Sequence, residues 1–244
     1  MITDMIHYDS NGLTLKGYLV YAGDVVAKRP AVLVAHAWKG QDEFARQQAH
    51  ALAELGYIGF AIDMFGEGKT AQSDEEASKL MTPLFLNRAL LRERVNAAVE
   101  VLQKHPMVDS SAIGAIGFCF GGLAVIELLR SGADVSGVVS FHGTLGSKMG
   151  EKVAKKEPTA ANIQGSLLIL HGYKDPLVSA EDLRDVQEEF SRHGIDWQIN
   201  IYGQAKHAFT NPEAHNEEAG LVFNSQAALR SWQAMCNFFE EIFP

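Results

Sequence analysis

The stretch AIGAIGFCFGGLAVIELL, residues 112–129, changes character halfway along. Ala112 to Gly117 is a short apolar run bounded by glycine, the pattern of a strand buried on both faces. Leu123 to Arg130 reads as a helix. Between them Gly117-Phe118-Cys119-Phe120-Gly121-Gly122 places a cysteine at the apex of a strand–turn–helix. Such a turn is strained and packs against neighbouring backbone, which Gly117, Gly121 and Gly122 permit. It also sets the sulfur at a helix N-terminus, whose dipole favours a thiolate over a thiol. The string alone is weak evidence, because two glycines around one residue occur by chance in many helix-opening turns.

Further runs rich in Val, Ile and Leu lie on either side, at Ala31 to Ala35, Tyr57 to Ile62, Val135 to Phe141, Ser166 to His171 and Trp197 to Tyr202. Amphipathic stretches separate them: Glu43 to Leu55, Asn87 to Gln103 and Glu181 to His193, with charges recurring at helical spacing. Strand and helix alternate, so an α/β fold with a mostly parallel sheet and helices on both faces is expected. The opening, Ile2 to Tyr8 and Leu13 to Tyr21 around Ser10-Asn11-Gly12, predicts an antiparallel hairpin that extends the sheet at one edge. A last helix from about Val222 to Ile242 is expected to turn Phe223, Leu229, Trp232, Phe238 and Phe239 to the core, with Cys236 as a small buried apolar residue. Residues 65–91 are less regular and read either as a surface excursion plus one packed helix or as a cap over a pocket.

A chain of 244 residues with 47% hydrophobic content can bury one substantial core, so a single domain over residues 1–244 is expected. The net charge of −9 repels phosphate backbones and argues against nucleic acid as a partner. Asp4, His7, Asp9 and Lys16 interrupt the first twenty residues, against a secretory signal, and no apolar run approaches a membrane span. Two cysteines, Cys119 and Cys236, make no disulfide framework, and the composition fits a cytoplasmic protein.

Two residues later in the chain raise Cys119 above chance. A nucleophile on such an elbow wants an acid after a later strand and then a histidine in a loop before the last helix. Asp175, in LHGYKDPLV, lies just past the strand Ser166 to Leu170; on its own it could be an Asx turn or a cap set up by Pro176. His207, in GQAKHAF, lies just past the strand that ends at Tyr202; on its own it could be a solvated loop residue. The three together, in order and each at the C-terminal end of a strand, point to a nucleophile, an orienting acid and a base.

Taken with these motifs, the chain resembles the dienelactone hydrolase family of α/β-hydrolases. The likeness runs from Ala31-Val32-Leu33-Val34-Ala35 through Ile62-Asp63-Met64-Phe65-Gly66 and the elbow to His207-Ala208-Phe209. It implies the α/β-hydrolase fold, a Cys119, Asp175 and His207 triad, and hydrolysis of a small-molecule ester or lactone through an acyl-enzyme without a cofactor. It also implies an oxyanion hole at the backbone amides of Trp38 and Phe120, each such donor contributing roughly 3 kcal/mol in measured cases. The Trp38 side chain either lines the pocket or packs. Two positions depart from the family: Ala37 stands where a glutamate helps ionise the cysteine, and Asn211 where an arginine grips the substrate carboxylate. Dienelactone itself is therefore a doubtful substrate, and Arg88, Arg92 and Arg94 are either a replacement cation or, with Glu93, a solvated helix face.

His36, His142 and His171 also fall at expected strand ends, but no paired metal-ligand spacing accompanies them, so no metal is expected. Neither GxxxxGK[ST] nor GxGxxG is present, so no nucleotide cofactor is expected. Asp63 is expected to brace a loop. The residues leave open acyl transfer or thioester hydrolysis with the same triad, and a non-catalytic binder on the same fold; substrate and oligomeric state are left open as well.

Overall fold

Each run expected to be a strand is one in the computed structural model, which describes residues 1–23, 27–146, 148–149, 152–154 and 157–243. The chain begins with β1 (Ile2–Ser10) and β2 (Leu13–Tyr21), an antiparallel pair. Asn11 and Gly12 between them have φ of 52° and 80°, the left-handed geometry of a two-residue primed turn that matches strand twist. Next come β3 (Arg29–Ala35), α1 (Glu43–Glu54), β4 (Ile58–Ala61), α2 (Asp74–Leu86), α3 (Arg88–Lys104), β5 (Val108–Phe118), α4 (Phe120–Arg130) and β6 (Gly137–Phe141). A two-residue pair, β7 (Lys148–Met149) and β8 (Lys152–Val153), precedes β9 (Ser166–Gly172), α5 (Ala180–Arg192) and β10 (Trp197–Tyr202). A second short pair, β11 (His215–Asn216) and β12 (Leu221–Val222), leads to α6 (Ser225–Ile242).

The main sheet has the order β1-β2-β4-β3-β5-β6-β9-β10. Strands from β4 onward pair in parallel, while β2 joins β4 antiparallel and so carries the hairpin at the sheet edge. The inner strands read as unbroken apolar runs because both faces are covered. On β3, Ala31, Leu33 and Ala35 pack with Leu91 and Val95 of α3 and Leu123 of α4. Val32 and Val34 pack on the other face with Ala45 and Leu52 of α1 and Met235 and Phe239 of α6. Each fully buried Leu or Val side chain contributes about 1.5–3 kcal/mol. Because β3, β5, β6, β9 and β10 run in parallel, the loops after them meet at one end of the sheet.

Three details differ from expectation. Helix α4 starts at Phe120, not Leu123, because Gly121 and Gly122 lie inside its first turn. A Cβ on Gly121 would stand 2.0 Å from the Ala35 carbonyl oxygen, and one on Gly117 would stand 2.0 Å from that of Gly121. These glycines let helix and strands touch rather than lengthen a turn. Helix α6 starts at Ser225, because Val222 is held in β12 and the Asn224 side chain accepts from the Ala227 N–H as N-cap. Leu229 is 73% exposed, contrary to its expected core position. The buried face of α6 runs through Ala227, Ser231, Met235, Phe238 and Phe239, and two residues past Ala227 lies on the opposite side. Phe223 and Trp232 are half-buried, as is Cys236, which packs at the edge of that core. Among the described residues, no helix is long and apolar enough to cross a membrane.

Candidate active site

Cys119 sits between β5 and α4 with φ 55° and ψ −114°, a backbone state that costs on the order of 1–3 kcal/mol for a residue with a side chain. Its N–H donates to the Phe141 carbonyl at 3.1 Å, and its own carbonyl accepts from Gly122, Leu123 and Thr144. The sulfur is thereby fixed at the N-terminus of α4, where the leading N–H groups lack partners within the helix. Phe120 opens that helix and is fully buried.

His207 is held through its backbone: its N–H donates to Gly220 and its carbonyl accepts from Val222, each at 3.0 Å, so β12 sets its place. Nδ1 lies 2.7 Å from Asp175 Oδ2, with both side chains buried. Asp175 Oδ1 accepts from the Leu177 N–H at 2.8 Å, so its carboxylate is both part of a local Asx turn and the partner of His207. Burial works against a charged imidazole, but the neighbouring Cys119 and the Asp175 hydrogen bond outweigh it, and the His207 pKa is pushed up to about 10. Its Nε2 is buried without a hydrogen-bond partner, and Cys119 is the first of the neighbours that raise its pKa against burial.

Beside these residues lies a cavity of about 660 Å³, within the range of small-molecule sites. Ala37, Trp38, Asn211 and Leu177 line it with Cys119 and His207. Trp38 is half-buried and faces this space rather than the core. His36 fixes the turn that carries it: Nε2 accepts from the Met64 N–H at 3.2 Å, so Nδ1 bears the proton and donates to the Ala37 carbonyl at 2.7 Å. Residues 65–91 supply Asp74, Met81 and Phe85, so α2 forms part of the cavity wall. Asp63 braces the loop before it, accepting from the N–H groups of Lys16, Phe65, Gly66 and Gly68.

The arginines of α3 meet neither expectation. Arg88 is 4% exposed over the Phe85 ring, Arg92 pairs with Glu127 at 2.7 Å, and Arg94 donates to the Met64 carbonyl. They are not solvated, because Glu127 is buried on α4 and draws Arg92 and Arg130 in as partners. Nor do they line the cavity beside Cys119. Asn211 spends its side-chain oxygen on the Glu213 N–H at 2.9 Å.

In the sequence His142 is a metal-ligand candidate without the paired spacing that would support it. It is fully buried, its ring meets that of His207 at a centroid distance of 5.2 Å, and burial together with the His207 charge holds its pKa well below the usual histidine range. Its position after β6, level with the elbow, was the available signal.

The sequence profile of the dienelactone hydrolase family matches residues 15–243. A Bradyrhizobium protein described as a probable 2-oxo-3-(5-oxofuran-2-ylidene)propanoate lactonase is 29% identical, the match covering 84% of this chain and 83% of that one. The crystal structure of a dienelactone hydrolase-like promiscuous phosphotriesterase from metagenomic libraries is 36% identical with a TM-score of 0.91, covering 100% of this chain and 99% of its own. A structure titled m3DLH is 37% identical with the same TM-score and coverage. The chain belongs to the dienelactone hydrolase family, and with it to the hydrolases of ester and lactone bonds on the α/β-hydrolase fold.

Proposed function

We propose that this protein hydrolyses a carboxylic ester or lactone with Cys119 as nucleophile, His207 as base and Asp175 as the acid that orients it, the whole chain acting as one domain. The observation that carries the reading is the buried 2.7 Å contact between His207 Nδ1 and Asp175, on a histidine whose charge responds to Cys119. The thiolate attacks the carbonyl carbon, and the N–H groups of Trp38 and Phe120 receive the developing oxyanion. His207 gives its proton to the leaving oxygen, then takes one from the water that attacks the thioester and releases Cys119. Asp175 holds the tautomer in which Nε2 is free for both transfers.

The cavity also bears on substrate charge. Trp38, Phe44, Met81 and Phe118 supply apolar wall, while Asp42, Asp74 and Glu213 add acidic groups. Lys39, 4.0 Å from Asp74, and Lys148 also line it, so three carboxylates stand against two lysines, and Asn211 offers no cation. A neutral acyl group therefore suits the site better than one bearing a carboxylate.

The test is a pre-steady-state assay with p-nitrophenyl butyrate on the native protein and Cys119→Ala, with intact mass as the second readout. A burst and an acyl adduct that both vanish in Cys119→Ala support the reading. Full activity in Cys119→Ala, or no burst and no turnover across several acyl lengths, defeats it and brings forward a binding role. Release of the acyl group to an added alcohol in preference to water would instead favour acyl transfer.

A further inference from the structure

His142 carries features that packing does not explain. It is 2% exposed, has φ 38°, and its Nδ1 is buried without a partner. A left-handed backbone under a bulky ring and an orphaned buried polar atom are each unfavourable, and a phenylalanine would fill the same space without the second. What the imidazole has is position. Its backbone N–H donates to the Leu170 carbonyl at 2.8 Å, and its Nε2 lies 2.7 Å from Thr210 Oγ1, three residues past His207. Its ring meets the His207 ring edge-to-face, 67° between planes, and that of Phe209 at 5.1 Å and 77°.

We propose that His142 is a positioning residue for His207: clamped by Thr210, it holds the His207 imidazole in line with Asp175 and Cys119 and meets it as a neutral polar ring. The proposal rests on the Cys119–His207 reading above. A neutral ring at this distance tolerates the imidazolium that the mechanism requires, whereas a charged neighbour would oppose it. The titratable groups about His207 are Asp175, Cys119, His142 and His171. Both neighbouring histidines are held toward the neutral form, first by burial, so the positive charge is left to His207.

The experiment measures kcat and KM with p-nitrophenyl butyrate, and the pH dependence of iodoacetamide alkylation at Cys119, resolved from Cys236 by peptide mass. The proteins compared are native, His142→Phe, Thr210→Val and His207→Ala. For His142→Phe, kcat falls by about tenfold to a hundredfold with KM nearly unchanged, as misorientation of a catalytic group requires. Its Cys119 thiolate midpoint rises by about one pH unit toward that of His207→Ala, and Thr210→Val moves both readouts in the same direction by less. Native kcat, or a lower kcat with the thiolate midpoint unmoved, reduces His142 to a packing residue. If His142→Phe does not fold, Thr210→Val decides by the same two readouts. If His207→Ala itself leaves the alkylation profile unchanged, the Cys119–His207 pairing fails and the role of His142 fails with it.

Discussion

Replacing Asp175 by Asn removes one charge from a buried pair while keeping the volume of the side chain. In the native protein Asp175 Oδ2 stands 2.7 Å from His207 Nδ1, and the two side chains are 0% and 1% exposed, so water cannot substitute for the lost carboxylate. Truncating one partner of such a pair costs about 3–5 kcal/mol. That cost falls on stability; the kinetic cost follows from the wrong imidazole tautomer, which lowers turnover about 10⁴-fold in serine triads, so kcat/KM is expected to fall by about 10²–10⁴. A second signature lies in stability against pH. Cys119 and Asp175 raise the His207 pKa from 6.5 to about 10. A raised pKa means that the folded state holds the proton more tightly than the unfolded chain. The stabilisation is therefore fully present below pH 6.5 and is lost as pH climbs through about 10. Urea unfolding between pH 6.5 and 10 should show native stability declining with pH, and Asp175→Asn should decline less steeply. An Asp175→Asn protein with activity within about threefold of native and an unchanged pH slope would refute the assignment of Asp175 as the partner that charges and orients His207.

Three further substitutions or substrates probe separate parts of the structure. Gly121→Ala sets a methyl 2.0 Å from the Ala35 carbonyl oxygen in a place where only backbone could give way, so the variant should be insoluble or lack a cooperative melt by circular dichroism. Glu127→Ala leaves Arg92 and Arg130 buried without that carboxylate, at a cost of about 3–5 kcal/mol. Its melting temperature should drop by roughly 6–20 °C for a chain of this size, and the alkylation rate of Cys119 should stay close to native. Paired p-nitrophenyl esters of equal length, one a neutral butyrate and one ending in a carboxylate, should differ by at least about tenfold in kcat/KM in favour of the neutral ester, the cost of one unpaired charge near an acidic wall. A preference for the carboxylate ester in steady-state assays would reverse the reading of Asn211 and the acidic residues.

Much of the fold was legible because burial on both faces leaves a mark in one dimension. The strands Ala31 to Ala35 and Ser166 to His171 are apolar without alternation, and each ends where a loop residue of chemical interest begins. Cys119, Asp175 and His207 could be picked out because each lies just past a strand, and parallel strands bring such positions to one end of a sheet. Legibility failed where a residue's fate depends on a partner distant in the chain. Arg88, Arg92 and Arg94 read as a replacement cation or a solvated face because the pattern of α3 contains none of Phe85, Glu127 and Met64, which receive them. Leu229 read as core because a helix seen without its neighbours does not reveal which stripe is covered. The sequence marks His142 at a strand end but not its neighbour, because His207 reaches it only when the loops after β6 and β10 fold together.

The alternation of elements, the hairpin turn at Asn11 and Gly12, and the strand–glycine–cysteine–glycine–helix passage around Cys119 follow from the order of residues along the chain. These are local properties, set by periodicity, by φ preference and by the absence of a Cβ. Only folding in three dimensions brings one aspartate carboxylate to His207, sets α2 in the cavity wall, commits Asn211 to its own turn and lays His142 against the His207 imidazole. Those outcomes depend on distances between residues far apart in the chain, and the energies involved, from burial to ion pairing, change with every ångström and with the loss of water.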